Sequence, residues 1–145
     1  MDEIQTERLA PGTRLFHGTR AQFHGAPRLP AMFELDAEAV EFYTRESWRG
    51  GESPRVIEVE VTAQAKAFVV ARRWSEVANA LGVAVSEPAI NAALLEAGYS
   101  GWIMKGRTTI GAVTMVDPHA VRFVGELPTK MARSVAARWL SRARG

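Results

Sequence analysis

The sequence predicts an α+β domain with a split, mostly antiparallel β-sheet core and flanking helices. The predicted order is strand, strand, helix, strand, helix and then several strands, without the regular alternation of a doubly wound parallel sheet. At 145 residues, with 47% hydrophobic and 23% charged residues, the chain has the size and composition of a globular domain. We therefore expect a single domain over residues 1–145.

The first predicted strand ends in a group of small and polar residues. Leu15 and Phe16 close a short apolar run, and His17-Gly18-Thr19 follows with an imidazole, an unhindered backbone and a hydroxyl. Pro27 and Pro30 then interrupt any regular element and predict a loop. An extended segment is expected directly after this loop, at Ala31–Glu34.

The next segments alternate between a helix and strands. Asp36 is a suitable N-cap for a helix that runs to about Glu46. Arg55–Val61 alternates between branched apolar residues and glutamates, which is typical of a half-buried strand. Ala67–Val70 is a second short strand.

Two helices are predicted in the middle of the chain. The first covers Trp74–Leu81, and the second begins after Ser86, with Pro88 at an early position where its missing N–H costs little. Gly98 is a suitable left-handed terminator for the second helix. Its expected apolar face consists of Ile90, Leu94 and Leu95.

The carboxyl-terminal part contains three strands and a basic helix. The strands are expected at Gly101–Met104, Ala112–Val116 and Val121–Val124, and a helix at about 129–144. This last helix carries Lys130, Arg133, Arg138, Arg142 and Arg144. Two interpretations stay open: a solvated terminal helix, or a patch that binds nucleic acid or an acidic protein.

Composition excludes several kinds of site. The chain has no cysteine, which excludes disulfides, a thiolate nucleophile and cysteine-ligated zinc. His17, His24 and His119 lack metal-ligand spacing, so no metal is expected. The acidic start Met1–Gln5 is unlike a secretory signal, so we expect a cytoplasmic protein without a membrane partner, or one delivered by a route that needs no signal.

Four short segments carry a resemblance to a known family. They are Leu15–Thr19, Phe33 with Tyr43 ten residues later, Gly98-Tyr99-Ser100-Gly101-Trp102-Ile103, and the strand that ends at Asp117-Pro118. In order and spacing they resemble the ADP-ribosyltransferase superfamily, in the diphtheria-toxin-like and poly(ADP-ribose)-polymerase-like arrangement of small bacterial or phage members. The resemblance implies NAD as the substrate and a macromolecular acceptor, either protein or nucleic acid.

The same resemblance implies roles for individual residues. In the family the histidine hydrogen-bonds a ribose hydroxyl, the glycine backbone binds the nicotinamide amide, and an aromatic ring stacks on nicotinamide. The NAD-binding residues expected here are His17, Gly18, Thr19, Arg20, Phe33 and Tyr43. A guanidinium fits a phosphate with two hydrogen bonds, and Arg14 and Arg20 flank the histidine as candidates for the pyrophosphate.

One departure from the family concerns its catalytic glutamate, which opens the strand before the Asp-Pro turn. Counting back from Pro118 places Ala112 there, and no carboxylate occurs between Glu96 and Asp117. Either Glu34 replaces it or the target supplies its own carboxylate, and the expected catalytic residues are His17, Tyr43 and Glu34.

Three functional interpretations follow. The first is an NAD-dependent mono-ADP-ribosyltransferase, acting as a bacterial or phage effector or toxin. The second is a catalytically silent module of this fold that binds NAD, ADP-ribose or a protein partner. The third is an unrelated α+β domain in which His17 is a structural residue and Tyr43 belongs to the core.

Overall fold

A computed structural model describes residues 4–19, 27–35, 55–105 and 110–128. The predicted helix at 36–46, the predicted basic helix at about 129–144, and the site candidates Arg20 and Tyr43 lie outside these ranges. Within them the strands are β1 (Thr6–Glu7), β2 (Arg14–Thr19), β3 (Ala31–Phe33), β4 (Arg55–Val61), β5 (Phe68–Ala71), β6 (Gly101–Lys105), β7 (Ile110–Met115) and β8 (Val121–Pro128). The helices are α1 (Trp74–Leu81) and α2 (Glu87–Glu96), and a short 3-10 turn covers Pro118–Ala120.

The described strands form two sheets, which confirms the predicted α+β class with a split sheet. One sheet has the order β1-β5-β6-β7-β3 and the other the order β2-β4-β8. Among these strands β5 and β6 pair in parallel, while every other pair is antiparallel. A parallel pair requires a long crossover, and α1 and α2 supply it here.

The core has two layers, one on each face of the five-stranded sheet. The layer between the two sheets contains alternate residues of β4, namely Ile57, Val59 and Val61. The layer under the helices contains Val77 from α1, Ile90 and Leu94 from α2, and Trp102 from β6. The prediction that Leu95 belongs to the apolar face of α2 is wrong: its side chain is 52% exposed, because this helix buries only a narrow face.

The ends of α2 follow the sequence signals. The Ser86 hydroxyl accepts a hydrogen bond from the Ala89 backbone N–H at 3.3 Å, which confirms the predicted cap. Gly98, with φ of +86°, provides the left-handed turn after the helix. Neither helix in the described part of the chain has the length and apolar character that a bilayer crossing requires.

Candidate functional site

Within the described residues, the two sheets are joined by one isolated backbone pair and separate beyond it. Phe16 and Glu34 exchange two hydrogen bonds, with N···O distances of 2.9 and 2.8 Å. At the next residue of β2 the link between the sheets is made by a side chain instead of the backbone. Nδ1 of His17 lies 2.7 Å from the carbonyl oxygen of Met32. The imidazole therefore holds the two strands at the point where the sheet splits.

This hydrogen bond fixes the tautomer of His17. A carbonyl oxygen can only accept, so Nδ1 must carry the proton. In the neutral ring Nε2 then has a free lone pair and can accept a hydrogen bond from a hydroxyl group. The half-buried ring also packs against Phe33, with 5.6 Å between the ring centroids.

A cleft of about 340 Å³ opens beside His17. Its lining comes from strands β2, β3 and β7, from the segment that precedes β3, and from the first residue of each helix. The lining residues are His17, Pro27, Arg28, Pro30, Ala31, Met32, Trp74, Glu87 and Thr114. The cleft thus combines an imidazole, a guanidinium, a carboxylate and an indole, which are groups suited to a polar ligand with an aromatic part.

The structure places the predicted site residues in different environments. His17 lines the cleft, and Gly18 follows it on β2, where both Gly18 and Thr19 pair with β4. Phe33 is fully buried, so its ring cannot stack on a ligand in this conformation. The ring packs against the imidazole of His17 instead. Glu34 is also buried, at 8% exposure, beside the split.

Arg14 lies away from the cleft, contrary to its candidacy for the pyrophosphate. Its guanidinium forms ion pairs with Glu58 at 3.7 Å and Glu60 at 3.4 Å. Side chains alternate along a strand, so Arg14 and His17 lie on opposite faces of β2. Arg28 is the arginine that lines the cleft, and the sequence reasoning missed it because it lies between two prolines in a segment interpreted only as a loop.

Trp74, Glu87 and Thr114 were also missed as site residues. Each belongs to an element that the sequence predicts correctly, but the convergence of these elements depends on tertiary packing. The sequence contains no local signal for such a convergence.

The register of β3 and β7 bears on the missing glutamate. Met32 pairs with Thr114 and Phe33 with Val113, and continuing this antiparallel register by one residue sets Glu34 opposite Ala112. Directly opposed residues have Cβ atoms about 4.5–5.5 Å apart and side chains on the same face. This extension lies one residue beyond the observed pairs, and it would bring Glu34 beside the position at which the family carries its glutamate. Glu34 itself is not among the residues that line the cleft.

The segment Gly98–Ile103 has a structural role. The buried Ser100 hydroxyl accepts from the Lys66 backbone N–H at 2.7 Å and donates to Oδ2 of Asp117 at 3.3 Å. Oδ1 of Asp117 accepts from the His119 backbone N–H at 3.0 Å. These bonds join the start of β6 to the end of β7, so Ser100 and Asp117 position the two strands and do not line the cleft.

Comparisons with known proteins give a likeness in fold. No protein-family model and no curated protein matches the sequence. A chain in the crystal structure of the M. tuberculosis MbcT-MbcA toxin-antitoxin complex is similar, with a TM-score of 0.50 and 12% sequence identity. The match covers 87% of this chain and 90% of that chain, so the likeness extends over most of the α+β fold.

Proposed function

We propose that this chain is an NAD-dependent mono-ADP-ribosyltransferase that modifies a macromolecular target, most simply a protein. The observation that carries the proposal is His17, held by the Met32 carbonyl at the split of the sheet and facing a cleft of about 340 Å³. This volume lies within the range of small-molecule sites, about 300–1,000 Å³. The sequence resemblance supplies the NAD chemistry, and the fold is compatible with it.

His17 and Gly18 orient the nicotinamide half of the dinucleotide in this proposal. Nε2 of His17 accepts a hydrogen bond from a ribose hydroxyl, while Nδ1 stays bonded to Met32. The backbone of Gly18, at the same strand end, binds the carboxamide. Arg28 supplies a positive charge in the cleft for the pyrophosphate. Holding the reactant in one geometry accounts for much of the rate enhancement in such a site.

Glu34 supplies the carboxylate that Ala112 lacks. The bond between ribose C1′ and the nicotinamide nitrogen breaks, and its electron pair leaves with nicotinamide. The resulting oxocarbenium-like cation is stabilised by a negative charge, which Glu34 can place from the strand opposite Ala112. An acceptor nucleophile then bonds to C1′ and releases its proton. The proposal includes Tyr43 as a further catalytic residue that stacks on nicotinamide.

A toxin or effector role is part of the proposal. The similar chain comes from a toxin-antitoxin complex. By analogy this chain would act on a cellular target and be restrained by a protein partner. The fold likeness supports this biological role without specifying the target.

The decisive experiment separates the two nitrogens of His17. His17→Asn retains a donor near the Nδ1 position and so preserves the bond to Met32, whereas His17→Gln places its amide near the Nε2 position. With labelled NAD, we expect His17→Asn to fold normally and lose nicotinamide release and transfer, and His17→Gln to retain more of both. His119→Gln is the matched control, because His119 is exposed on the 3-10 turn and does not line the cleft.

Glu34→Gln tests the relocated carboxylate. Removal of one transition-state electrostatic contact costs about 10²- to 10³-fold in rate, and we expect a loss of this order with little change in NAD affinity. Glu96→Gln, on the exposed end of α2, is the control and should retain full activity. Full activity of both His17→Asn and Glu34→Gln would refute the proposal.

A silent NAD-binding module is the second candidate, and Ala112 at the family's glutamate position favours it. This alternative predicts that NAD raises the melting temperature of the wild-type protein but releases no nicotinamide. His17→Asn would then reduce the thermal shift without any change in turnover.

A further inference from the structure

Two buried polar atoms behind the cleft have no hydrogen-bond partner among the described residues. They are Oδ1 of Asn91 on α2 and Nε1 of Trp102 on β6. Asn91 is 8% exposed and Trp102 is 1% exposed. One atom is an acceptor and the other a donor, and polar atoms buried to this extent are normally paired.

One ring contact, one strand pairing and one helical spacing place Trp102 and Asn91 next to residues of the cleft. Trp74, which lines the cleft, makes an edge-to-face contact with Trp102, with 5.0 Å between the ring centroids. Thr114, another lining residue, pairs with Trp102 across β6 and β7. Glu87, which also lines the cleft, precedes Asn91 by four residues on α2, and residues with this spacing share a helix face.

We propose that Asn91 and Trp102 form an adenine subsite that opens when the ring of Trp74 moves aside. This inference rests on the proposed function, in which the nicotinamide half of NAD lies at His17. The amino group of adenine donates to Oδ1 of Asn91, and a ring nitrogen beside it accepts from Nε1–H of Trp102. The half-buried indole of Trp74 covers the subsite and provides a surface on which the purine stacks.

The unpaired acceptor of Asn91 and the unpaired donor of Trp102 favour a ligand that offers both a donor and an acceptor, as adenine does. Adenine carries a donor and an acceptor on one planar group, which complement the unpaired acceptor of Asn91 and the unpaired donor of Trp102 in kind. A phosphate or a carboxylate offers only acceptors and would leave Oδ1 of Asn91 unpaired. The carboxamide of nicotinamide offers the same donor and acceptor pair, so the experiment compares the two halves of NAD directly.

The test uses the full chain labelled with ¹⁵N and two probes, adenosine and nicotinamide. The sequence has four tryptophans, and the indole signal of Trp102 is assigned by its loss in Trp102→Phe. We expect adenosine to move the Trp102 indole N–H signal downfield, as a new hydrogen bond would, and nicotinamide to leave it in place. No movement with adenosine, or a larger movement with nicotinamide, would overturn the adenine assignment.

Asn91→Leu provides a second measurement that does not depend on Trp102→Phe folding. Leucine has a similar size to asparagine, so the variant should remain folded. It lacks the unpaired Oδ1 acceptor and should bind adenosine about tenfold more weakly, which corresponds to one lost hydrogen bond. Asn79→Leu makes the same replacement at an exposed position on α1 and should bind adenosine like the wild type. Unchanged adenosine binding by Asn91→Leu would refute the subsite.

NAD cleavage distinguishes a failure of the subsite from a failure of the proposed function. The adenine half is remote from the bond that breaks, so Asn91→Leu should raise KM for NAD and leave kcat nearly unchanged. His17-dependent cleavage with no effect of Asn91→Leu on KM would refute the subsite alone. Asn91-dependent binding of adenosine without any NAD cleavage would refute the transferase and leave the subsite intact.

Discussion

Gly101 in β6 has no room for a side chain. A Cβ atom added there would lie 1.8 Å from the carbonyl oxygen of Thr114 and 2.9 Å from its carbonyl carbon. The oxygen would have to retreat by about 1.2 Å to reach the 3.0 Å that real Cβ contacts rarely undercut. Both atoms are backbone atoms in the centre of a sheet, so no side-chain rotation relieves the overlap.

The expected cost of Gly101→Ala is about 3–5 kcal/mol in the free energy of unfolding. Overpacking contributes about 1–3 kcal/mol, and two weakened hydrogen bonds between β6 and β7 contribute about 1 kcal/mol each. A domain of this kind is stable by about 5–15 kcal/mol, so the variant should be marginally folded. The displacement should also change the shape of the cleft, because Thr114 lines it.

Gly125→Ala is the matched control for this prediction. Gly125 lies in strand β8, its φ is not positive, and a Cβ atom there would meet nothing within 4 Å. Its substitution should change stability by less than about 1 kcal/mol, with a small gain from the reduced entropy of the unfolded chain. Urea unfolding of both variants measures the difference, and equal midpoints for Gly101→Ala and Gly125→Ala would refute the steric argument.

Four further substitutions test the packing of the fold. Ser100→Ala removes the hydroxyl that bonds Asp117 and should cost about 1–3 kcal/mol in urea unfolding, because buried polar groups are left unpaired; a cost below 0.5 kcal/mol, on the order of an exposed substitution, would contradict this. Ser86→Ala removes the cap of α2 and should cost about 0.5–2 kcal/mol in the same assay. Leu94→Ala should cost about 2–5 kcal/mol because the side chain is fully buried, whereas Leu95→Ala should cost less than about 0.5 kcal/mol. Similar melting temperatures for the two leucine variants would show that the buried face of α2 is assigned incorrectly.

Much of the fold could be predicted because its signals are local. The alternation over Arg55–Val61 gives β4 with its observed bounds, and the periodicity of Trp74–Leu81 does the same for α1. Ser86 and Gly98 mark the limits of α2 through the backbone groups that they satisfy. Parallel pairing of β5 with β6 has no such local signal, since it depends on how the intervening helices pack.

The candidate site was predictable only in part. His17 could be found because it follows an apolar strand and precedes a glycine, and the structure does place it on the cleft. Arg14, equally close to it in sequence, points to the other face of β2 because side chains alternate along a strand. Arg28 and Trp74 enter the cleft from segments that are distant in sequence, so their contribution emerges only from the tertiary structure.

The resemblance to ADP-ribosyltransferases therefore contains two kinds of information. The Gly98–Ile103 and Asp117-Pro118 motifs are explained by packing: Gly101 admits a carbonyl oxygen, and Ser100 bonds Asp117. These constraints act on any chain with this strand arrangement, whether or not it cleaves NAD, so the motifs are evidence for the fold. Evidence for catalysis must come from side-chain groups that could act on a bound ligand, above all Nε2 of His17 and the carboxylate of Glu34. For this reason the His17→Asn and Glu34→Gln variants discriminate between a transferase and a silent module, whereas Ser100→Ala tests the stability of the fold.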